Sequence, residues 1–288
     1  MKQGDFDFIG KLVRDRSGLV LTKDKAYLLE SRLMHLARKR GLKGIEELVE
    51  TIRAFQKESL LREVTEAMTT NESFFFRDIK PFELFRQRIL PEFLKSRANK
   101  KSLRIWCTAA SSGQEPYSLA IILKEEAAKL LGWRTEILGT DISAEMLEKA
   151  KTGLYSQFEV QRGLPIHYLM KYFEKRDSIW QINAALRAMV QYKEFNLLDD
   201  LMHLGEFDVV FCRNVLIYFD QQTKRRILAQ LSQLMPNDGV LFLGGAETVL
   251  GVSDKFKPLE KQRGVYCLAG GAGVVETAQP AAATGLGT

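Results

Sequence analysis

A strand, a loop of small residues and a helix follow one another in LRIWCTAASSGQEPYSL, residues 103–119. The apolar run 103–107 is too short for a helix and is bounded by small residues, which predicts a buried strand. The loop 108–113 is made of small residues, so a ligand can approach its backbone closely. Glu115 and Pro116 open a helix, because proline is tolerated in a first turn. Open α/β sheets build nucleotide pockets in this order, although an ordinary βα turn is the alternative.

The composition is that of a globular protein with one large or two modest domains. The 288 residues are 45% hydrophobic and 27% charged, which is enough to fill a core. No apolar run is long enough for a membrane helix, and the N-terminus lacks the apolar segment of a signal peptide. Three cysteines without CxxC spacing indicate free thiols in a reducing, cytoplasmic setting. Three scattered histidines predict no metal site, and a net charge of +6 permits an acidic partner.

The first 75 residues predict a small helical domain. Its second helix begins near Thr22 or Asp24 and runs to Gly41, with a basic part at about 24–40. The core side of this helix is predicted to hold Leu28, Leu29, Leu33, Met34, Leu36 and Ala37. Its basic residues are Lys25, Arg32, Arg38, Lys39 and Arg40, and Lys25, Arg32 and Lys39 recur every seven residues, which places them on one face. Such a stripe indicates either a solvated face or a docking surface.

Residues 76–268 predict an α/β domain, and the triple Phe at 74–76 predicts the seam between the two domains. Further strands are expected at 135–139, 207–212, 240–243 and 265–268, and residues 190–195 are expected to lead back into the main sheet. Residues of about 155–190 interrupt the α/β rhythm and predict an inserted β-subdomain, with strands at 179–182 and 188–190 joined by Asn183–Arg187. The tail 269–288 is rich in Gly and Ala and is predicted to be disordered.

Polar residues follow the predicted strands at the points where the strands end. Because the carboxyl ends of parallel strands share one crevice, Glu115, Asp141, Asn196 and Asn214 are expected to meet there. An acid after the second strand suits a ribose. The loop has neither GxGxxG nor P-loop spacing, so an adenosine ligand without phosphates fits better, and a sulfonium would suit the nearby acids.

Each of these residues also has a purely structural interpretation. Asp141 could organise a turn, Glu115 could complement a helix dipole, and the two asparagines could form turns. Arg77 could form an ion pair at the domain seam, and Tyr218 could be a core aromatic.

Several blocks of the sequence resemble the chemotaxis receptor methyltransferase (CheR) family, from about residue 5 to 268. The resemblance is carried by TTNESFFFR (69–77), AASSGQEPYS (109–118), TDIS (140–143), NLL (196–198), FCRNVLIYF (211–219), PNDG (236–239) and GVY (264–266). It implies a Rossmann-like S-adenosylmethionine methyltransferase that converts glutamates on chemoreceptor cytoplasmic helices to methyl esters and releases S-adenosylhomocysteine. The cofactor contacts that it implies are Asn71, Ser73, Arg77, Glu115, Asp141, Asn196, Leu197, Arg213 and Asn214.

The resemblance also assigns roles outside the cofactor pocket. It places Arg77 and Tyr218 closest to the reacting centre, the basic second helix at the receptor, and residues 155–190 in the family's β-subdomain. Members that bind a peptide at the receptor's C-terminal tail have a longer, glycine-containing hairpin there. The segment 175–178 is short and lacks Gly, so tethering through a receptor tail is not expected.

A glutamate carboxylate is already ionised near neutral pH, so the reaction needs orientation rather than a general base. Arg77 is expected to orient the carboxylate through paired hydrogen bonds and Tyr218 to donate one more. Two rival interpretations remain at this point: a nucleic-acid methyltransferase of the same fold, and a cofactor-binding scaffold without turnover. The first predicts aromatic and basic residues interleaved on an exposed face, which residues 20–45 do not show, so no nucleic-acid partner and no membrane insertion are expected.

Overall fold

The computed structural model describes residues 1–271, which begin with a bundle of four helices. These are α1 (Gln3–Ser17), α2 (Ala26–Lys39), α3 (Ile45–Phe55) and α4 (Glu58–Met68). Their buried apolar faces form one cluster that includes Ile9, Leu33 and Ile52. Gly18 ends α1 with φ of 76°, a left-handed conformation that glycine adopts without strain.

The second helix differs from its prediction at both ends and on one face. A short 3₁₀ turn, Lys23–Lys25, precedes α2, and neither Thr22 nor Lys25 caps it with a side chain. The helix ends at Lys39 rather than at Gly41. Leu28 was expected in the core, but 36% of its surface is exposed because it lies beside Tyr27 on the outer face.

The remaining chain forms a large sheet, a small sheet and the helices around them. The strands are β1 (Ser102–Cys107), β2 (Arg134–Asp141), β3 (Leu154–Ser156), β4 (Phe173–Arg176), β5 (Ile179–Ile182), β6 (Val190–Glu194), β7 (Val209–Cys212), β8 (Val240–Leu243), β9 (Phe256–Pro258) and β10 (Val265–Leu268). The helices are α5 (Lys80–Leu84), α6 (Leu90–Ser96), α7 (Gln114–Glu125), α8 (Ala144–Thr152), α9 (Gln157–Gln161), α10 (Ile166–Tyr172), α11 (Ala184–Arg187) and α12 (Gln221–Gln233). A π-helical turn, Phe85–Ile89, joins α5 to α6.

The large sheet has the order β6-β2-β1-β7-β8-β10-β9. The first five strands in this order are parallel, and β10 and β9 pair in the antiparallel sense. Alternate residues of β7 lie on opposite faces of the sheet: Phe211 belongs to one buried cluster and Val210 to the other. Both faces are therefore covered, which explains why the central strands β7 and β8 are continuous apolar runs. The predicted α/β class with a helical N-terminal domain is confirmed, and β9 is a strand that the sequence did not predict.

The small sheet pairs β3 with β5 and β5 with β4, all antiparallel. The sequence correctly predicted 179–182 as a strand but was wrong about its neighbour. Asn183 accepts a hydrogen bond from the Leu186 N–H and caps the short helix α11. Val190 then begins β6 of the large sheet, so β5 pairs with β4 and β3 instead.

The triple Phe does not lie in an interface between two separate cores. Phe75 and Phe76 are buried in the core of the α/β domain, where Phe75 contacts the rings of Tyr155 and Phe173. Phe76 stacks on Tyr168. The segment therefore anchors the neighbouring Arg77 to the sheet and the inserted subdomain. The domain boundaries stay a prediction. The tail predicted to be disordered begins at residue 269, and the part of it beyond residue 271 lies outside the described residues.

Candidate active site

A cleft lies where the carboxyl ends of β1, β2, β6 and β7 meet the helical domain. It consists of two adjoining hollows of about 610 Å³ and 460 Å³. Five residues line both: Thr70, Asn71, Ala109, Asp141 and Asn214. The first hollow also contains Asn196, Leu197 and Tyr218, and the second contains Ser73, Arg77, Glu115 and Arg213. The structure thus brings all ten predicted cofactor and catalytic residues to one cleft.

Asp141 is the last residue of β2, and backbone amides hold its carboxylate in place. One oxygen accepts from the Ser111 N–H at 2.8 Å and the other from the Ser143 N–H at 2.9 Å. The side chain is 7% exposed, and this burial raises the pKa of Asp141 although the amide hydrogen bonds oppose the shift. Each oxygen retains a lone pair, so the group suits the two hydroxyl donors of a ribose.

The loop after β1 fits closely between its neighbours. Gly113 has φ of 93°, and a Cβ there would lie 2.7 Å from the Tyr192 hydroxyl oxygen. A larger residue would therefore both strain the backbone and collide with β6. Ser111 has φ of 47°, and its hydroxyl donates to the Asn71 carbonyl at 2.9 Å. This hydrogen bond links the loop after β1 to the segment that follows the helical domain.

Arg213 forms a buried ion pair beneath the second hollow. Its Nη1 donates to Glu115 at 2.9 Å, and its Nη2 donates to Asp78 at 2.6 Å and to the Arg77 carbonyl at 3.0 Å. The Arg213 side chain is 1% exposed and that of Glu115 is 11% exposed. Burial raises the pKa of Glu115, and the Arg213 charge opposes that rise. The pair places a carboxylate in the cleft, where it complements a cationic ligand.

Asn196 lines the first hollow, but its amide already has partners. Its Nδ2 donates to the Arg16 carbonyl at 2.6 Å, and its Oδ1 accepts from the Leu198 N–H at 3.0 Å. The second bond is the turn-forming interaction that the sequence left open as an alternative. Asn196 therefore fixes the end of α1 against the loop after β6, and its role toward a cofactor stays a prediction.

Arg77 and Tyr218 reach the cleft from opposite segments. Within residues 1–271, the only hydrogen bond of the Arg77 guanidinium runs from Nη1 to the Glu72 carbonyl, at 2.9 Å. The Tyr218 ring packs against the core of the helical domain, and its carbonyl accepts from the Val20 N–H at 2.9 Å. In the described part of the chain its hydroxyl makes no hydrogen bond, so both polar groups are available to a ligand.

Within the first 75 residues, the sequence predicted only Asn71 and Ser73 as cofactor contacts. Ser17, Leu19 and Thr69 also contribute to the first hollow, and Leu19 forms a β-bridge with Phe219 of the α/β domain. Thr69 opens the block 69–77, whereas the only sequence signal beside Ser17 and Leu19 is the helix end at Gly18. Glu247 was also missed: its buried carboxylate accepts from backbone amides of the loop after β7.

The basic residues predicted to dock a receptor differ in their exposure and in their partners. Arg32 is half-buried, and its guanidinium donates to the Met68 and Thr69 carbonyls at 2.8 and 3.0 Å. Arg40 pairs with Glu63 at 2.5 Å. The Arg32 guanidinium is therefore already bound to the end of α4, and its role in docking stays a prediction. Lys25, Arg38 and Lys39 are exposed.

Two features of the described residues concern metal binding and membrane insertion. In residues 1–271 there is no group of three or more His, Cys, Asp or Glu side chains arranged to hold a metal ion. No helix in the same range is long and apolar enough to cross a membrane.

Comparison with known families resolves what kind of cleft this is. The model of the CheR methyltransferase all-alpha domain matches residues 4–69, and that of its S-adenosylmethionine (SAM) binding domain matches residues 71–265. The chain belongs to the CheR methyltransferase family. It is 39% identical over 265 residues to the chemotaxis protein methyltransferase Cher2 of Pseudomonas putida, a match that covers 91% of this chain and 96% of that protein.

Other relatives of this CheR methyltransferase cover a similar share. Chemotaxis protein methyltransferase 1 of Pseudomonas aeruginosa is 40% identical, over 91% of this chain and 96% of its own. The chemotaxis protein methyltransferase of Vibrio parahaemolyticus is 36% identical, over 88% and 93%. The predictions of the family, of methyltransferase activity and of S-adenosylmethionine as cofactor are thereby confirmed. The buried carboxylates of Asp141 and Glu115 fit a ligand with ribose hydroxyls and a positive charge.

Proposed function

We propose that this CheR methyltransferase forms glutamyl methyl esters on the cytoplasmic helices of methyl-accepting chemoreceptors. The observation that carries the proposal is Arg77, a guanidinium at the cleft whose Nε and Nη2 donate to none of residues 1–271. A guanidinium with two parallel donors recognises a carboxylate and repels a lysine ammonium. The relatives that cover most of the chain are chemotaxis methyltransferases, which supports a receptor rather than a nucleic acid as the acceptor.

The residues that line the cleft are suited to an acceptor that needs no general base. In the described part of the chain, none of them is Lys, His or Cys. The carboxylates of Glu72 and Glu115 are paired with Arg162 and Arg213, and that of Asp141 is held by backbone amides. A glutamate carboxylate is ionised at neutral pH and needs no base, whereas an amine or hydroxyl acceptor requires one.

Bound S-adenosylmethionine supplies a methyl group on a positively charged sulfur, and the chain supplies position. Asp141 holds hydroxyl groups, Arg77 aligns the acceptor carboxylate, and the Tyr218 hydroxyl donates to it. Orientation of this kind contributes several kcal/mol to a displacement without a catalytic base. Because Arg77 also attracts the carboxylate charge, its contribution is to orient the nucleophile rather than to increase its reactivity.

Receptor docking is assigned to exposed residues of α2 and of the 3₁₀ turn that precedes it. Lys25, Arg38 and Lys39 are exposed, and Tyr27 is 67% exposed beside them. An acidic helical bundle complements this surface. The hairpin of β4 and β5 turns through Asp177 and Ser178 alone, so methylation is expected without a receptor tail peptide, and truncating the receptor C-terminus should leave the rate unchanged.

The decisive assay transfers a labelled methyl group from S-adenosylmethionine to purified chemoreceptor cytoplasmic fragments. Label released as methanol by mild base identifies a carboxyl ester. Arg77→Ala should lower turnover by about a hundredfold and leave S-adenosylhomocysteine affinity within a few-fold. Arg88→Ala, on the π-helical turn, is the matched control and should retain turnover. Base-stable label, labelling of RNA instead of receptor, or full turnover by Arg77→Ala would each contradict the proposal.

A further inference from the structure

Glu247, in the loop after β8, has a carboxylate surrounded by backbone N–H groups. Its Oε2 accepts from Gly244 at 2.7 Å and from Asn214 at 2.8 Å. Its Oε1 accepts from Val215 at 2.9 Å and from Ile217 at 3.2 Å. The residue is 8% exposed. Four donors on one carboxylate satisfy it without a cationic partner, and each bond is strengthened by the charge.

Three of the four donors belong to the segment that carries cleft residues. This segment follows β7 and includes Asn214, which lines both hollows, and it ends at Tyr218. Asn214 has φ of 58°, a left-handed conformation that non-glycine residues rarely adopt. A short segment with this backbone and no strand partner needs an acceptor for its N–H groups, and Glu247 supplies it.

The loop that carries Glu247 packs closely against the segment after β7, with little space for a side chain at position 244. A Cβ at Gly244 would lie 2.8 Å from both the Asn214 Nδ2 and the Glu247 Oε2. A larger residue at position 244 would therefore have to displace Asn214 or Glu247.

We propose that Glu247 is a positioning residue for methyl transfer: its carboxylate fixes residues 214–217 so that Asn214 faces the cofactor and Tyr218 faces the acceptor. This inference deepens the proposed function and rests on it. Glu247 touches neither ligand and acts through the segment that it holds. A glutamine cannot substitute, because its amide nitrogen would face two N–H donors. An aspartate is one methylene shorter and cannot reach both pairs of amides.

The test compares Glu247→Gln and Glu247→Asp with the wild type and with Glu260→Gln. Glu260 is an exposed glutamate paired only with the neighbouring Lys261 among residues 1–271. Calorimetry gives the Kd for S-adenosylhomocysteine, and initial rates at saturating S-adenosylmethionine give kcat and KM for a chemoreceptor fragment. Circular dichroism establishes whether each variant is folded.

Glu247→Gln is expected to weaken S-adenosylhomocysteine binding about tenfold and to lower kcat about a hundredfold, because small misplacements near a reacting centre have effects of that size. KM for the receptor should change little, since docking is assigned to the exposed side chains of Arg38 and Lys39 and not to residues 214–217. Glu247→Asp should fall between the wild type and Glu247→Gln, and Glu260→Gln should match the wild type.

Wild-type Kd and kcat in a folded Glu247→Gln protein would overturn the inference. Equal losses in kcat and in receptor affinity would also overturn it, since they indicate general disorder. If Glu247→Gln does not fold, the same two outcomes in Glu247→Asp decide the question. A wild-type protein that methylates no receptor fragment refutes the proposed function instead, and the Kd comparison then still tests Glu247.

Discussion

Replacing Arg213 by Met should destabilise the protein strongly even when no cofactor is bound. The Arg213 side chain is 1% exposed and pairs with Glu115, whose side chain is 11% exposed. Removing one partner of a buried pair leaves an uncompensated charge, which costs about 3 to 5 kcal/mol. The second pair, with Asp78, adds little because the Asp78 side chain is 51% exposed.

The loss should depend on pH in a definite direction. Burial raises the pKa of Glu115, and Arg213 opposes the rise, so the variant should have a still higher pKa for Glu115. A carboxyl whose pKa is higher in the folded state favours folding below its unfolded pKa and loses that contribution as pH rises through the folded value. The stability gap between variant and wild type should therefore be larger at pH 8 than at pH 5.

Urea unfolding at several pH values measures this gap. Adding Glu115→Gln to Arg213→Met removes both charges and should recover about half of the loss or more. Arg176→Met is the control, since Arg176 pairs with Glu174 at 3.7 Å on the surface and its loss should cost less than about 1 kcal/mol. A loss below about 1 kcal/mol for Arg213→Met, or no recovery in the double variant, would refute the assignment of a buried ion pair.

Three other predictions follow from the same structure. Reversing Arg38 and Lys39 to Glu should raise KM for the receptor about tenfold at low salt, an effect that high salt reduces, as steady-state rates would show. Capping of α12 and a neighbouring Arg lower the pKa of Asp220 to about 2, so its carboxylate stabilises the folded protein above its ordinary pKa and loses that contribution toward pH 2. Asp220→Asn lacks this carboxylate and should therefore lose less stability than the wild type on acidification. Ser118→Ala should cost about 1 to 3 kcal/mol in urea unfolding, because the buried Phe76 N–H loses its acceptor at 2.9 Å.

Each of the three has a control. Reversing the exposed Lys100 and Lys261 instead should leave receptor KM unchanged, and equal effects from both pairs would indicate only net charge. Asp220→Ala should cost about 1 kcal/mol of stability at neutral pH, because the helix cap is lost. If the stability of Asp220→Asn falls with acidification as much as that of the wild type, the role of Asp220 is rejected. Ser232→Ala should cost less than Ser118→Ala, because the half-buried Ser232 hydroxyl only donates to the Ala229 carbonyl of its own helix.

The sequence predicted the large sheet well because its strands are simple. The runs 103–107 and 207–212 are apolar except for Arg104 and Asp208, as is expected of strands that are covered on both faces. The small sheet was harder: β4 has one apolar residue followed by three charged ones, so nothing in its pattern distinguishes it from a loop. β9 has three residues and ends in Pro258, which also hides a strand.

The site was predicted mainly through residue blocks that resemble a family, and the structure shows what those blocks could not. Arg32 looked equivalent to Lys39 in a helical projection, but a long side chain can turn back to cap the end of α4. Glu247 lies in GGAET, which has no periodicity and no motif that indicates its contacts. Contributions from Ser17 and Leu19 depend on how the helical domain packs, which local sequence does not encode.

A crystal structure with S-adenosylhomocysteine would show directly whether the strand ends bind the cofactor as proposed. We predict one molecule in the cleft between the helical domain and the strand ends, with its ribose hydroxyls at Asp141 and one edge of the molecule against Asn214. The Arg77 and Tyr218 side chains should border the vacant methyl position. A ligand bound elsewhere, or one that contacts Asp141 but lies away from both Arg77 and Tyr218, would contradict the account.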